Sequence, residues 1–373
     1  MSESKKGRKK VAIVFIGRLE FQGRLLKQID TLYRNQFDVT VFIGNINNEE
    51  RNLDKFKFPI HSYEVSYDKA KIFSFFNQIY FCFVVARKIR QLSFDLVQCC
   101  GLATLLVGVF VKRMSKEVHI VYDSTELSIE RYKGLKRFMW GRIQQFALKY
   151  CEYVIHAETH RAEYFKNSYN LPERQIVVIG NYPRLNQMTM KMEIRKPIRF
   201  IYLGIISKGR HYEDVVLAFS KLKMEYRLDI IGPGPRNYIQ KITNLVKSSN
   251  YIQTLPPIRN EEVYSFLEHY DVGLAFYENT NLNNYYCAPN KIYDYIRAGL
   301  PVISNNYPGL VDVIEKNRIG VCVAEVTAES ISKAIDSILS EEMFRNITDE
   351  LKKKFSWEAQ ENLYCSIFAE VYR

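Results

Sequence analysis

The densest chemistry in the chain lies in Cys287-Ala-Pro-Asn290-Lys291-Ile-Tyr-Asp294-Tyr-Ile-Arg-Ala-Gly299-Leu-Pro-Val-Ile303. Pro289 suits the start of a helix, which puts Asn290 and Lys291 in or near its first turn. Asp294 follows three residues after Lys291, on the same helix face. Gly299 ends the helix before Leu300-Pro301-Val302-Ile303 enters a strand. A lysine in a first turn opposes the helix macrodipole, a cost that a bound anion removes. A carboxylate one turn deeper can accept hydrogen bonds from a ribose diol. Spacing alone fits this pairing, and equally a surface Lys–Asp ion pair. A second candidate is Gly204-Ile-Ile-Ser-Lys208-Gly209-Arg210-His211, a glycine and two cations between an apolar run and a helical pattern. Backbone N–H groups at a helix start, with Lys208 or Arg210 beside them, make a phosphate site; a solvated loop has the same composition. Gly232-Pro-Gly234-Pro235 is a tight turn that lets backbone approach a ligand, or is simply a turn.

These segments need a scaffold, and the apolar pattern supplies one. Short runs rich in Val and Ile recur at Val11–Ile16, Val39–Gly44, Phe94–Gln98, His119–Tyr122, Tyr153–His156 and Ile176–Ile179. A second series runs Ile198–Leu203, Leu228–Ile231, Tyr251–Leu255, Val272–Phe276, Pro301–Ser304 and Gly320–Val323. Most intervals are long enough for a crossover helix, so the runs read as βαβ units of parallel sheets. The expected fold is α/β, with two doubly wound Rossmann-like domains and a cleft between them as the default ligand site. The expected boundaries are 1–186 for the N-terminal domain and 187–197 for a polar linker. Residues 198–355 form the C-terminal domain, and 356–373 a helix that crosses back to the first. No repeat of 20–50 residues interrupts this order.

At this point a resemblance emerges. Pro289 to Ile303 resembles the donor-site helix of the GT-B glycosyltransferases of family 4, in the Pro-Asn-Lys variant of its motif. These are retaining enzymes that use nucleotide-sugar donors. Phe94–Gln98, Val121–Leu127, Val177–Pro183, Gly204–Arg210, Leu228–Pro235 and Phe355-Ser-Trp-Glu358 resemble further segments of that family, in the same order. The resemblance implies that Arg210 and Lys291 neutralise the donor diphosphate as charge grows on it, the catalytic role of preorganised charge. It implies that Gly204 and Lys208 belong to the phosphate loop, and that Gly232 and Asn290 line the nucleotide side. Asp294 takes the second acidic position of the family's Glu-x7-Glu pattern, which binds ribose. Tyr286 stands where the fuller pattern has a sugar-holding Glu, and Thr125 where many relatives carry His. On the acceptor side the candidates are Glu20, Arg24, Thr125, Glu126 and His160, with His156 nearby. There is no Asp-x-Asp, HExxH, Walker A or GxSxG motif. The expectation is metal-independent transfer of a hexosyl or related group, without a cofactor, from a UDP- or GDP-linked sugar to a glycan or lipid-linked acceptor. Surface polysaccharide or glycolipid synthesis is the expected setting. Two other readings fit the same architecture: a nucleotide-sugar epimerase, and a degenerate member that serves as a membrane-docked partner of an active transferase.

Composition narrows the partners. The 373 residues carry 53 Lys+Arg against 41 Asp+Glu, a net charge of +12, with 47% hydrophobic and 25% charged residues. That is globular composition. Lys69–Arg90 and Arg131–Arg142 mix cations with aromatic residues, which suits an anionic membrane interface; a core helix with a solvated basic rim has the same pattern. RNP, helix-turn-helix and finger patterns are lacking, which argues against nucleic acid. No apolar run reaches the ~18 residues of a membrane span, and no signal peptide is evident. Seven cysteines without CxxC spacing read as reduced thiols. The expected location is cytoplasmic, peripheral on the inner face of the cytoplasmic membrane.

Overall fold

Strands with both faces buried should be apolar at every position, with alternate residues pointing to opposite layers. From Phe200 onward the run Ile198–Leu203 does this: Phe200 and Tyr202 enter one core and Ile201 the other, while Arg199 before them is exposed. A computed structural model describes residues 8–46, 53, 56–65, 71–185, 193–194, 196–259, 262–287 and 289–370, with backbone alone at 46 and 71–74. Most of the expected linker, 187–192 and 195, lies outside the described residues. The chain divides into two compact units, one of residues 1–180 with 360–373 and one of 181–359.

The first unit contains β1 (Lys10–Ile16), α1 (Gly23–Arg34), β2 (Asp38–Ile46), β3 (Ile60–Val65), α2 (Lys71–Leu92), β4 (Leu96–Cys100), α3 (Leu105–Met114), β5 (His119–Asp123), α4 (Gly134–Ala147), β6 (Tyr153–His156), α5 (Thr159–Tyr169) and β7 (Ile176–Val178). Its seven strands are all parallel, in the order β3-β2-β1-β4-β5-β6-β7. The edge strand β3, Ile-His-Ser-Tyr-Glu-Val, was not among the expected strands. It alternates half-buried and exposed residues, as an edge should, and so lacks an apolar run.

The second unit contains β8 (Ile198–Leu203), α6 (Tyr212–Ser220), β9 (Tyr226–Ile231), α7 (Arg236–Val246), β10 (Ile252–Leu255), α8 (Val263–Leu267), β11 (Val272–Ala275), α9 (Leu282–Tyr285), α10 (Asn290–Arg297), β12 (Val302–Asn305), α11 (Pro308–Ile314), β13 (Gly320–Val323), α12 (Ala328–Ser340) and α13 (Asp349–Lys354). Its six parallel strands are ordered β10-β9-β8-β11-β12-β13. The order reverses between β8 and β11, and ligands bind beyond the carboxyl ends of the strands at such a switch point. A last helix, α14 (Trp357–Glu370), begins in the second unit and ends in the first. There Tyr364 donates to buried Gln98 Oε1 at 2.7 Å and Gly180 N–H donates to Gln360 Oε1 at 2.7 Å. All seven cysteines are free, and five are buried.

Candidate functional site

At the carboxyl ends of β8 and β9 two glycine turns press together. Gly204 N–H donates to Ile231 O at 2.9 Å, and Ile206 N–H to Pro233 O at 2.8 Å. Gly232 has φ +154°, and a Cβ there would lie 1.7 Å from Gly204 O. Only glycine permits that approach. Gly204, at φ +145°, has the Lys291 ammonium against it: a Cβ would lie 2.3 Å from Nζ. Gly232 therefore shapes the Gly204 loop from behind.

Lys291 is the second residue of α10, capped by Pro289, and Asn290 before it is exposed. Arg210 comes from the loop that follows Gly204. Its guanidinium lies 4.2 Å from the centre of the Tyr277 ring, and Lys291 Nζ lies 5.5 Å from the same ring and 5.2 Å from that of Tyr202. Both cations are half-buried. Among the described residues neither has a carboxylate within ion-pair distance. Burial, then the charge of Arg210, pushes the Lys291 pKa down to about 7. Two cations held together without an acid favour the approach of an anion. Lys208, by contrast, is exposed. Asp294 stands on α10 one turn from Lys291, and Tyr286 ends α9, its ring 5.0 Å from that of Tyr285; both are half-buried.

Tyrosines that the sequence reading passed over fix this geometry. The buried Tyr202 hydroxyl accepts from Phe276 N–H at 3.2 Å and lies within donating reach of the Arg210 and Phe276 carbonyls. Tyr295, on α10, accepts from Leu203 N–H at 3.0 Å and donates to Leu274 O at 3.1 Å, so it ties β8 to β11. Tyr277 N–H donates to Asn305 Oδ1 at 2.5 Å, and Tyr307 donates to Tyr277 O at 2.7 Å. Glu278 N–H holds the Gly209 carbonyl at 3.0 Å. The available signal was a tyrosine just inside or just after the ends of β8, β11 and β12: Tyr202, Tyr277 and Tyr307.

In the first unit the candidates engage the following partners. Arg24 is paired with Asp123 at 3.1 Å, and Gln28 donates to the same carboxylate at 2.7 Å. Glu126 pairs with Arg131, and Glu20 with Arg18 at 3.0 Å. Thr125 is exposed, its carbonyl accepting from Arg161 at 3.1 Å. His160 donates its backbone N–H to Glu158, the cap of α5, at 2.9 Å. His156 is fully buried. Burial and then Arg161 and Arg24 hold its pKa well below the usual histidine value, so the ring is neutral.

Comparison with known proteins then bears on the second unit and on the fold. Residues 186–361 match the family model described as glycosyl transferases group 1. Gly204, Arg210, Gly232, Lys291 and Asp294 all fall in the matched segment. An uncharacterized glycosyltransferase of Methanocaldococcus jannaschii is 19% identical over 376 residues, spanning 89% of this chain and 90% of its own length. A sucrose-phosphate synthase of Thermosynechococcus elongatus superposes with a TM-score of 0.78 at 14% identity, over 98% of this chain and 99% of that one. An Anabaena protein, HepE, in complex with UDP and glucose, gives 0.72 at 12% identity over 96% and 99%. The two-domain α/β architecture is that of the GT-B glycosyltransferases.

Proposed function

We propose that the protein is a glycosyltransferase that takes a sugar from a nucleoside-diphosphate donor, with the diphosphate held by Arg210 and Lys291. The observation that carries this reading is the pair of half-buried, acid-free cations at the β8–β11 switch point. Mobile surface lysines would not stand on a backbone braced by three tyrosine hydroxyls, those of Tyr202, Tyr295 and Tyr307. The pair would draw in the donor diphosphate and stabilise the charge that grows on it as the sugar departs. Asp294, one turn along α10, would bind the ribose. UDP is the first choice of nucleotide, in keeping with the UDP complex of the Anabaena relative.

The finer reading is a retaining, metal-independent transfer to a glycan or lipid-linked acceptor, in surface polysaccharide or glycolipid synthesis. With Arg210 and Lys291 on the diphosphate, a divalent ion has no charge left to supply. Melting curves with UDP, GDP, dTDP, ADP and CMP, each with and without EDTA, test both levels. One nucleotide at about 100 times its Kd should stabilise the protein by ~2.7 kcal/mol, unchanged by EDTA. A stabilisation that EDTA abolishes would overturn metal independence. No stabilisation by any nucleotide would overturn the donor site and favour a non-catalytic partner protein.

A further inference from the structure

We propose that the face of the first unit formed by α2, α3 and α4 docks on an anionic lipid bilayer. The charge distribution is the first observation. These helices contain four, two and three Lys or Arg residues and not one Asp or Glu, so they carry +9 of the chain's net +12. Lys112 is paired with Glu152 and Arg137 with Glu130. Arg87, Lys88, Arg90, Arg113, Lys136 and Arg142 have no carboxylate within ion-pair distance among the described residues.

Apolar exposure is the second. Half of the exposed large hydrophobic side chains among the described residues lie on α2 and α4. On α2 the exposed positions 76, 80, 83, 87 and 90 follow one helix face, with Phe76, Tyr80 and Phe83 leading into Arg87 and Arg90. On α4, Leu135 is 72% and Phe138 66% exposed, with Lys136 and Arg137 between them. The helices form one layer: the Phe75 ring lies 5.5 Å from Trp140, Phe83 lies 6.0 Å from Phe110, and Arg113 lies over Phe146 at 5.6 Å.

A second copy of the chain would set the six unpaired cations against their own kind, with no acid on the three helices to answer them. A bilayer surface answers both features, with anionic headgroups for the cations and the acyl boundary for Phe and Leu. No helix among the described residues is long and apolar enough to cross a membrane, so the face lies on the bilayer.

The test is flotation of the full chain with vesicles of phosphatidylcholine alone or mixed with phosphatidylglycerol, and it reads binding without any donor. Binding is expected only with phosphatidylglycerol, falling as salt rises. Lys136→Gln and Arg142→Gln should each weaken it by about fivefold, the equivalent of ~1 kcal/mol. Leu135→Ser with Phe138→Ser should weaken it by about tenfold or more, with an unchanged Tm because both side chains already stand in water. Equal binding to pure phosphatidylcholine, or none to either vesicle, overturns the proposal. So does a dimer in light scattering that Phe138→Ser dissociates, which would assign the face to a second copy.

Discussion

In the proposed donor site Lys291 and Arg210 share the electrostatic work but not its pH dependence. Arginine stays charged throughout, whereas Lys291 sits near neutrality in the unliganded protein, at about 7. Folding lowers its pKa from the ordinary lysine value of about 10.4. The unfolded chain therefore binds this proton more tightly between those two values. The resulting penalty is full below pH 7 and disappears as the pH rises toward the unfolded value. Lys291→Met should flatten that part of the stability–pH curve, as measured by denaturation at stepped pH. A diphosphate reverses the preference, because it favours the ammonium. Above pH 7, nucleotide binding should therefore take up a proton and weaken as pH rises. Calorimetry in buffers of different ionisation heat would read the uptake, which Lys291→Met should remove. Zero uptake by the native protein at pH 8 would show that the amine is already charged. Arg210→Ala and Lys291→Ala should each lower turnover by about 10²–10³. Tyr277 adds a gentler effect. Its ring faces both cations, so Tyr277→Leu should cost about 0.5–2 kcal/mol of nucleotide affinity, whereas Tyr277→Phe should retain most of it.

At the scale of elements, the parallel strands were legible because burial writes them as short, mostly apolar runs rich in Val and Ile. Ile198–Leu203, Tyr153–His156 and Gly320–Val323 appear with the bounds read from the pattern. The helix after Pro289 was equally readable, since proline marks its start and Gly299 its end. What escaped was whatever apolar periodicity does not encode. β3 is a half-polar edge strand, and the tyrosine hydroxyls under the site act on backbone groups up to 94 residues away in sequence. The Gly232 turn reads from sequence as a close approach to a ligand or simply as a turn. Its closest neighbour is the Gly204 peptide, a contact that sequence spacing could not reveal. That contact makes a sharp forecast. Gly232→Ala must relieve both a positive φ and a 1.7 Å overlap with backbone, and backbone cannot swing aside as a side chain can. A loss of about 3 kcal/mol or more in urea unfolding is expected, together with weakened nucleotide binding, because the displaced loop carries Arg210. Wild-type stability in this variant would mean that the two turns are not in contact.

For the whole molecule, the decisive feature is that the first unit is built from two pieces of chain. Residues 1–180 supply its sheet, but Tyr364, Ile367 and Phe368 of α14 are buried in it at 0–2% exposure. Fully burying one such side chain contributes about 1.5–3 kcal/mol, and a domain's total stability is only about 5–15 kcal/mol. Removing residues 360–373 therefore takes away a large share of what keeps the first unit folded. It also leaves Gln98, which accepts from Tyr364, with a buried carbonyl to satisfy. The second unit is one continuous stretch, 181–359, and holds every residue assigned to the donor. The two truncations should then behave oppositely. A chain ending at residue 359 should lose the melting transition of its first unit and aggregate. Residues 181–359 alone should fold and bind the same nucleoside diphosphate, within about tenfold of the full chain's affinity by titration calorimetry. Binding by the full chain but not by a folded 181–359 fragment would show that the donor also depends on groups from the first unit.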